Sequence, residues 1–478
     1  MLFNSLEFLI FLPVVFILYW YVFNKKLKSQ NLLILLASYV FYGWWDWRFL
    51  SLIIFSSILD FLIGVSLSKT EKISKRKLLL TASILVNIGF LGFFKYYNFF
   101  LESFSDAFTF FGTSISAERL NIILPVGISF YTFQTLSYTI DVYKKKLEPT
   151  KDFIAFFAFV SFFPQLVAGP IERATNLLPQ FYVPRKFEYA KAVDGLRQIL
   201  WGLFKKIVIA DNAAKFANII FNSSAEYSGS TLALGAIFFA FQIYGDFSGY
   251  SDIAIGTSRL FGFNLMQNFA FPYFSRDIAE FWRRWHISLS TWFRDYLYIP
   301  LGGSRGGTWM KVKNTFIIFL VSGFWHGANW TFIVWGGLNA LYFLPLMLLN
   351  KNRTHTNVVA ENRLFASIKE VFQILMTFTL TTIAWVFFRA ENITHAFAYL
   401  GEIFSPSLFE MPQFFPLTVI FFIILFVIIE WLQRDKQHAL EFKNTKMPRL
   451  VRFALYYILI AVIFLFGGQQ QEFIYFQF

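Results

Sequence analysis

Residues 6–23 read LEFLIFLPVVFILYWYVF, an apolar run with a single charged residue, Glu7. About 20 residues of such composition carry an α-helix across the hydrocarbon core of a bilayer. Comparable runs recur along the chain, which is 56% apolar and 15% charged, whereas about a quarter of the residues of a soluble domain are charged. The sequence therefore predicts an all-α, polytopic integral membrane protein.

This first run differs from a cleavable signal peptide. No Lys or Arg precedes it, and the sequence NKK follows it where a small-residue cleavage site would stand. We therefore predict a retained helix. Cysteine is absent from the chain, which excludes disulfide bonds and thiol catalysis.

The apolar runs predict roughly eleven transmembrane helices, with re-entrant or interfacial elements in the middle of the chain. We predict one domain over residues 1–478, with N-terminal helices over about 1–168, a motif-bearing core over about 169–350 and C-terminal helices over about 351–478. The predicted segments lie near residues 6–23, 31–45, 49–67, 78–100, 121–140, 153–168, 196–221, 231–262, 314–349, 370–388, 414–432 and 453–467.

Basic residues are concentrated in alternate gaps between the apolar runs, and they account for the net charge of +13. Lysine-rich gaps lie near residues 25–28, 69–77 and 144–151, whereas the gap at 101–121 is poor in basic residues. This alternation follows the positive-inside rule. It predicts that the lysine-rich gaps are cytoplasmic and that both termini lie outside the cytoplasm. The charge is thus a topology signal, and we expect no nucleic-acid partner.

One segment is unusually rich in arginine and tryptophan: residues 276–307 read RDIAEFWRRWHISLSTWFRDYLYIPLGGSRGG. At about 100° per residue, the apolar side chains of 276–296 fall within an arc of roughly 120°, and Arg276, Arg283 and Arg294 lie opposite. The pattern predicts one amphipathic helix lying in the cytoplasmic interface, with its arginines among lipid headgroups. Its glycines lack the Gly-Lys-Ser/Thr of a nucleotide-binding loop.

Two histidines stand out as candidates for chemistry. His286 lies at the edge of the apolar arc, and His326 lies between two apolar runs in SGFWHGANWTFIVWGG, beside Trp325 and Asn329. An ionisable group at that depth is costly unless it faces a cavity or a partner. The alternative is a buried histidine that is hydrogen-bonded to a neighbouring helix. Asp246 lies within the apolar context YGDFSGYSDIAIG, as the lining of a cavity would.

A metal site is not predicted, because the five histidines form no HExxH pattern and the chain has no cysteine. Small residues, among them Gly249 and Gly327, are candidates for the lining of a path through the helical bundle.

Six stretches make the sequence resemble the membrane-bound O-acyltransferase family, and within it the branch of the alginate O-acetyltransferase membrane subunit. The resemblance runs nearly from end to end and implies that family's fold. The stretches are PVGISFYTFQTLSYTIDVY, FFPQLVAGPIERA, YGDFSGYSDIAIG, FWRRWHISLSTWFRDYLYIPLGGSRGG, SGFWHGANWTFIVWGGLNA and FIYFQF.

The resemblance implies transfer of an acetyl group from a cytoplasmic thioester such as acetyl-CoA, a co-substrate, with no tightly bound cofactor. The acceptor would be a hydroxyl of an alginate-like exopolysaccharide or a periplasmic acetyltransferase-type partner, and the location a bacterial inner membrane. The family pairs a histidine in an apolar run with an upstream polar residue, which are here His326 and His286. We expect His326 to be the general base, because histidine can remove a hydroxyl proton near neutral pH.

We further expect Arg283, Arg294 and Arg305 to attract the phosphates of the donor, with lipid headgroup binding as the alternative for each arginine. Asp246, Asn329 and Trp325 are further candidate substrate contacts. Two other functions stay open at this point. A transporter of a polysaccharide, lipid carrier or ion would also use intramembrane Asp246 and His326, and a scaffold would only anchor secreted enzymes.

Overall fold

The computed structural model describes residues 1–112, 118–442, 447–467 and 471–474, and these residues form α-helices and connecting segments without β-strands. The terminal FIYFQF stretch is described only as far as Ile474. By contacts, the chain divides into two compact units. The first comprises Met1–Ala192 and Thr257–Met266, and the second comprises Val193–Gly256 and Gln267–Phe478. The predicted single domain is not tested by this division.

Helices with a membrane-spanning composition confirm a polytopic membrane protein. Among the described residues, six helical stretches are long and apolar enough to cross a bilayer. They are Leu27–Ser68, Ile73–Phe110, Gly229–Leu260, Trp330–Leu348, Ile368–Arg389 and Arg449–Phe466. Two shorter apolar helices, Leu6–Val22 and Leu417–Leu432, accompany them. The count of eleven spans stays a prediction.

The first unit contains eight helices and the start of the ninth within its described residues. They are α1 (Leu6–Ile17), α2 (Leu27–Asp46), α3 (Leu50–Ser68), α4 (Ile73–Leu91), α5 (Tyr97–Phe110), α6 (Ile128–Tyr143), α7 (Phe153–Val160), α8 (Ala174–Leu177) and α9 (Tyr189–Leu203).

A buried carboxylate ties three helices of this unit together. Asp60 of α3 accepts hydrogen bonds from Asn87 of α4 at 2.8 Å and from Thr139 of α6 at 2.9 Å. Ser83 of α4 donates a third bond to the same carboxylate. Apolar surfaces gain little from one another inside lipid, so such polar contacts stabilise the association of transmembrane helices.

The second unit carries most of α9 and the remaining helices. They are α10 (Asp211–Asn222), α11 (Gly229–Leu260), α12 (Ile278–Arg284), α13 (Ile287–Phe293), α14 (Gly307–His326), α15 (Trp330–Leu348), α16 (Ile368–Arg389), α17 (Ile393–Ile403), α18 (Leu417–Leu432) and α19 (Arg449–Phe466). A π-helical stretch, Phe204–Ala210, joins α9 to α10.

Helices α14 and α15 form a tight hairpin because glycine allows their backbones to touch. A Cβ atom on Gly323 would collide with the carbonyl oxygen of Phe332, and one on Gly336 with that of Phe319. The turn ends at Asn329, whose side chain accepts the N–H of Thr331 at 3.0 Å and so caps α15. His326 is the last residue of α14 and lies at this turn.

The prediction of one continuous interfacial helix over residues 276–296 is wrong. Helices α12 and α13 are separate, and His286 between them has a left-handed backbone with φ of 44°. Arg276 does not face lipid headgroups, because it is buried and forms an ion pair with Glu280 at 3.0 Å. The hydrophobic periodicity could not reveal this break, because the hydrogen bonds that stabilise it come from a segment about twenty residues earlier.

Candidate active site

His326 ends α14 inside an aromatic enclosure. Its ring centroid lies 5.1 Å from that of Trp335 in α15 and 5.3 Å from that of Phe388 in α16. The side chain is buried. Gly327 follows it directly, and a Cβ atom there would collide with the ring of Phe332. The hairpin turn and three helices thus hold His326 in a site from which bulk water is excluded.

His286 is also fully buried, at the break between α12 and α13. Its Nδ1 lies 3.1 Å from the amide oxygen of Asn268. Its ring packs edge-to-face on Phe247 of α11 at 4.6 Å. His286 lies outside the membrane-spanning helices, and burial lowers its pKa to about 3. The imidazole is therefore neutral at physiological pH.

Trp325 brings the two histidines into one cluster. Its ring centroid is 4.9 Å from that of His326 and 6.1 Å from that of His286. The structure therefore joins the two predicted catalytic histidines through one shared neighbour. The catalytic roles of both histidines, and a substrate contact for Trp325, stay predictions.

A cavity of about 550 Å³ lies between α13, α14 and α15, and its lining among the described residues does not include His286, Trp325 or His326. Its apolar wall includes Phe293, Phe319 and Phe343, and its basic residues are Arg294, Lys311 and Arg353. Ser322 lines the cavity and precedes His326 by four residues in α14, which is about one helical turn. The volume lies within the range of roughly 300–1,000 Å³ that small-molecule sites occupy.

The three predicted donor-binding arginines lie in different surroundings. Arg294 lines the cavity, and its side chain is 57% exposed and paired with Asp295 at 2.7 Å. Arg283 donates hydrogen bonds to the backbone carbonyls of Asn352 at 2.7 Å and His355 at 2.6 Å. Arg305 is exposed and is not among the residues that line the cavity. A donor contact therefore has geometric support at Arg294 alone.

Asn329 and Asp246 are both engaged in structural bonds. The amide of Asn329 donates to the carbonyl of Glu391 at 2.8 Å, while its oxygen caps α15. Asp246 is buried and pairs with Lys206 at 2.8 Å. Lys206 also binds Asp211 at 2.8 Å. Substrate contacts of Asn329 and Asp246 stay predictions.

Residues 471–474 return to α11 and reach the cluster around His286. The backbone N–H of Ile474 donates to Asp246 at 2.7 Å, and Lys206 donates to the carbonyl of Gln471 at 3.2 Å. Phe473 packs on Phe247 at 6.2 Å between ring centroids. Since Phe247 contacts His286, this segment supports the wall of the site.

Comparison with known proteins identifies the family. The model of the membrane-bound O-acyltransferase family matches residues 144–388. The protein named "Probable alginate O-acetylase AlgI" of Pseudomonas aeruginosa is 41% identical to this chain, over 86% of this chain and 76% of the relative. A peptidoglycan O-acetyltransferase of Helicobacter pylori is 32% identical, over 100% of this chain and 98% of the relative. A teichoic acid D-alanyltransferase of Streptococcus thermophilus is 31% identical, over 44% of this chain and 54% of the relative.

This chain belongs to the membrane-bound O-acyltransferase family. The region that the family model matches contains both histidines, Trp325 and every residue that lines the cavity. The prediction of a membrane O-acyltransferase is confirmed, and the transporter interpretation finds no support among these relatives.

Sequence reasoning missed several residues of this O-acyltransferase that the structure brings to the site. Asn268 contacts His286, and Lys311 and Arg353 line the cavity. Lys311 and Arg353 lie in basic gaps between apolar runs, and sequence reasoning used such gaps only to predict which side of the membrane they face. Asn268 carries no motif by which it could have been recognised, because its contact with His286 depends on the fold.

Proposed function

We propose that this protein transfers an acetyl group from a cytoplasmic thioester, acetyl-CoA or a similar donor, to hydroxyl groups of a polysaccharide outside the cytoplasm. His326 acts as the general base. The observation that carries the proposal is a buried His326 that shares Trp325 with a second buried histidine, beside a cavity with basic residues. The names of the alginate and peptidoglycan relatives support acetyl as the group and a polysaccharide as the acceptor.

The chemistry requires a base because a hydroxyl is a weak nucleophile until its proton is removed. A positioned base contributes about 10²–10⁴-fold to the rate, and alignment of the two substrates contributes much of the rest. The buried surroundings of His326 also protect a thioester from hydrolysis. The hydroxyl proton moves to His326 as the hydroxyl oxygen bonds the carbonyl carbon of the thioester. The C–S bond then breaks, and the leaving thiolate takes the proton from the protonated histidine to become the free thiol.

The cavity suits a donor that combines an apolar arm with phosphates. Aromatic side chains of α13, α14 and α15 provide an apolar wall, and three cations are available for phosphate. The wall also contains Trp282, whose ring lies 5.7 Å from that of Trp335, a contact of His326. The cavity is therefore connected to the proposed base through the rings of Trp282 and Trp335.

The acceptor is an alginate-like exopolysaccharide or an extracytoplasmic partner transferase that passes the acetyl group on. The protein lies in the inner membrane of a bacterium, with both termini outside the cytoplasm. The basic gaps near residues 305–313 and 351–369 support a cytoplasmic mouth of the cavity, since Lys311 and Arg353 belong to them.

The test is His326→Gln in purified protein reconstituted in proteoliposomes with acetyl-CoA and oligosaccharide acceptors. We expect acetyl transfer to fall by about 10²-fold or more while the thermal unfolding midpoint stays close to that of the wild type. His355→Gln is the matched control, because the His355 side chain contacts Asp277 at the long distance of 3.9 Å. Normal turnover in folded His326→Gln protein would overturn the proposal.

A further inference from the structure

Asn268 has an amide orientation that its neighbours determine. The side chain is fully buried. Its Oδ1 atom accepts the backbone N–H of Ser288 at 3.2 Å and the Ser288 hydroxyl at 2.8 Å. Because a backbone N–H can only donate, the atom facing it is the oxygen and not the nitrogen. The amide nitrogen donates to Ser251 at 3.1 Å on the other side.

This orientation determines the tautomer of His286. Nδ1 of His286 lies 3.1 Å from the same amide oxygen, which has no hydrogen to donate. Nδ1 must therefore carry the hydrogen. The Ser288 hydroxyl, 3.4 Å from Nδ1, already gives its own hydrogen to Asn268 and can only accept from the ring. In a neutral imidazole the lone pair then lies on Nε2.

The Nε2 atom of His286 is buried and has no hydrogen-bond partner in the described part of the chain. The rings packed on the imidazole belong to Phe247, Phe269 and Trp325. A buried acceptor without a partner is destabilising, and each such group in a folded protein requires an explanation. A substrate that brings an O–H or N–H group would satisfy it.

The backbone at His286 is strained and firmly held. A left-handed conformation is unfavourable for a non-glycine residue, and it persists only where the surrounding structure enforces it. Two backbone hydrogen bonds do so: Ile287 donates to Asn268, and Ala270 donates to Arg284, each at 2.9 Å. The segment that supplies the amide therefore also fixes the position of the ring.

We propose that Asn268 is a positioning residue that holds the hydrogen of His286 on Nδ1 and so presents the Nε2 lone pair to an O–H or N–H group of the bound substrate. The proposal rests on the acyl transfer proposed above, because it assigns His286 a substrate contact in that reaction. The group is the acceptor hydroxyl or an amide N–H of the thioester donor.

Two substitutions of Asn268 separate positioning from support of the fold. Asn268→Leu has a similar size but offers no acceptor, so Nδ1–H loses its partner, and we expect acetyl transfer to fall about 10- to 100-fold. Asn268→Asp still accepts from His286 and Ser288 and should keep most of the activity at neutral or higher pH. Asn264→Leu is the matched control, because Asn264 is exposed and its hydrogen bonds with Gln180 come from its backbone, so activity should stay within about twofold of the wild type.

The pH dependence of activity tests the proposal, because a purely structural role of Asn268 would not shift it. The carboxylate of Asn268→Asp stabilises the charged imidazole and raises the pKa of His286. His286 acts in its neutral form, so the acid limb of the activity profile should move to higher pH. This variant leaves unchanged the ionisable groups on the elements that pack against His286. The groups nearest in sequence to the residues that contact His286 are Tyr244, Asp246, Tyr250, Arg284 and His326.

Kinetic constants distinguish the two substrate groups. If Nε2 receives the acceptor hydroxyl, kcat at saturating donor falls in Asn268→Leu; if it receives the donor amide, the donor KM rises and kcat is retained. Wild-type kinetics in folded Asn268→Leu protein would overturn the proposal. So would equal loss of activity in the Leu and Asp variants with an unshifted pH profile.

The tautomer can also be measured without any variant of Asn268 and without activity. ¹⁵N-labelled histidine resonances of the wild-type protein, which has five histidines, are assigned by comparison with His286→Gln. We expect His286 to carry its hydrogen on Nδ1, and a hydrogen on Nε2 would overturn the proposal. If the wild-type protein transferred no acyl group, the proposed function would fail while the tautomer could still be observed.

Discussion

Lys311 and Arg353 line the same cavity as Arg294. Their positive charges predict an effect on donor binding. Replacing either residue by Gln should raise the donor KM about two- to fivefold, because one cation near a membrane surface contributes about 1 kcal/mol to the binding of an anion. The effect should shrink as salt is added. Initial rates at several donor and salt concentrations measure both.

The control for these charge substitutions is Arg119→Gln. Arg119 is exposed, pairs with Glu102 at 2.8 Å and belongs to the other compact unit. Its removal should leave the donor KM unchanged. If all three variants have the same donor kinetics, the cations of the cavity do not bind the donor. They then bind lipid headgroups or no ligand.

The candidate site shows which residues a sequence reveals and which it hides. His326 and His286 could be singled out, because a histidine within an apolar stretch is unusual whatever the fold. Asn268 could not, because asparagine is common in loops and its importance comes from Oδ1 meeting Nδ1 of a residue 18 positions later. Arg276 was misinterpreted for a different reason, because Glu280, four positions later in α12, is buried with it and neutralises its charge without a headgroup.

At the scale of elements, glycines of α11 determine how closely its neighbours approach. A Cβ atom on Gly249 would lie 2.8 Å from the carbonyl oxygen of Gly202, and one on Gly202 would lie 2.6 Å from the carbonyl oxygen of Gly249. The prediction that Gly249 and Gly327 line an open path is therefore wrong, because backbone and ring atoms already occupy those positions. Close helix contact is the physical reason for Gly249, whereas the ring of Phe332 leaves room only for glycine at position 327.

This packing gives a stability prediction. Gly249→Ala should lower the thermal unfolding midpoint in detergent, because real Cβ atoms do not approach a carbonyl oxygen as closely as 2.8 Å and α9 must shift away. Gly401→Ala in α17 is the matched control, since no atom lies within 4 Å of its added Cβ. Its midpoint should stay the same or rise slightly, as alanine favours the helix. Equal midpoints in the two variants would contradict this account of the packing.

Helices could be predicted from the sequence better than the breaks within them. The apolar runs near 31–45, 49–67 and 370–388 correspond to α2, α3 and α16, because local composition alone decides whether a segment suits a bilayer. The break at His286 was missed, because residues 276–296 satisfy the helical period throughout. There the long-range bonds from Asn268 and Ala270 override the local pattern.

At the scale of the whole molecule, the charge alternation predicts which side of the membrane each gap faces. The native chain has no cysteine, so single engineered cysteines report their own accessibility. Arg305→Cys should react with an impermeant maleimide only in inside-out vesicles. Glu410 lies in the gap 390–413, which contains acidic residues and no Lys or Arg, so Glu410→Cys should react only in intact cells or right-side-out vesicles. Both positions are exposed. Reaction of Arg305→Cys from outside alone would overturn the proposed sidedness and the cytoplasmic donor with it.

The hydrogen bond between Ile474 and Asp246 joins residues 228 positions apart. This separation determines how long after the synthesis of Asp246 the bond can form. A ribosome adds about 5–20 residues per second, so roughly 10–50 s pass between the synthesis of the two partners. Helices α12 to α19 are all made during that interval. The contact of Phe473 with Phe247, which packs on His286, can therefore form only after those helices have been synthesised.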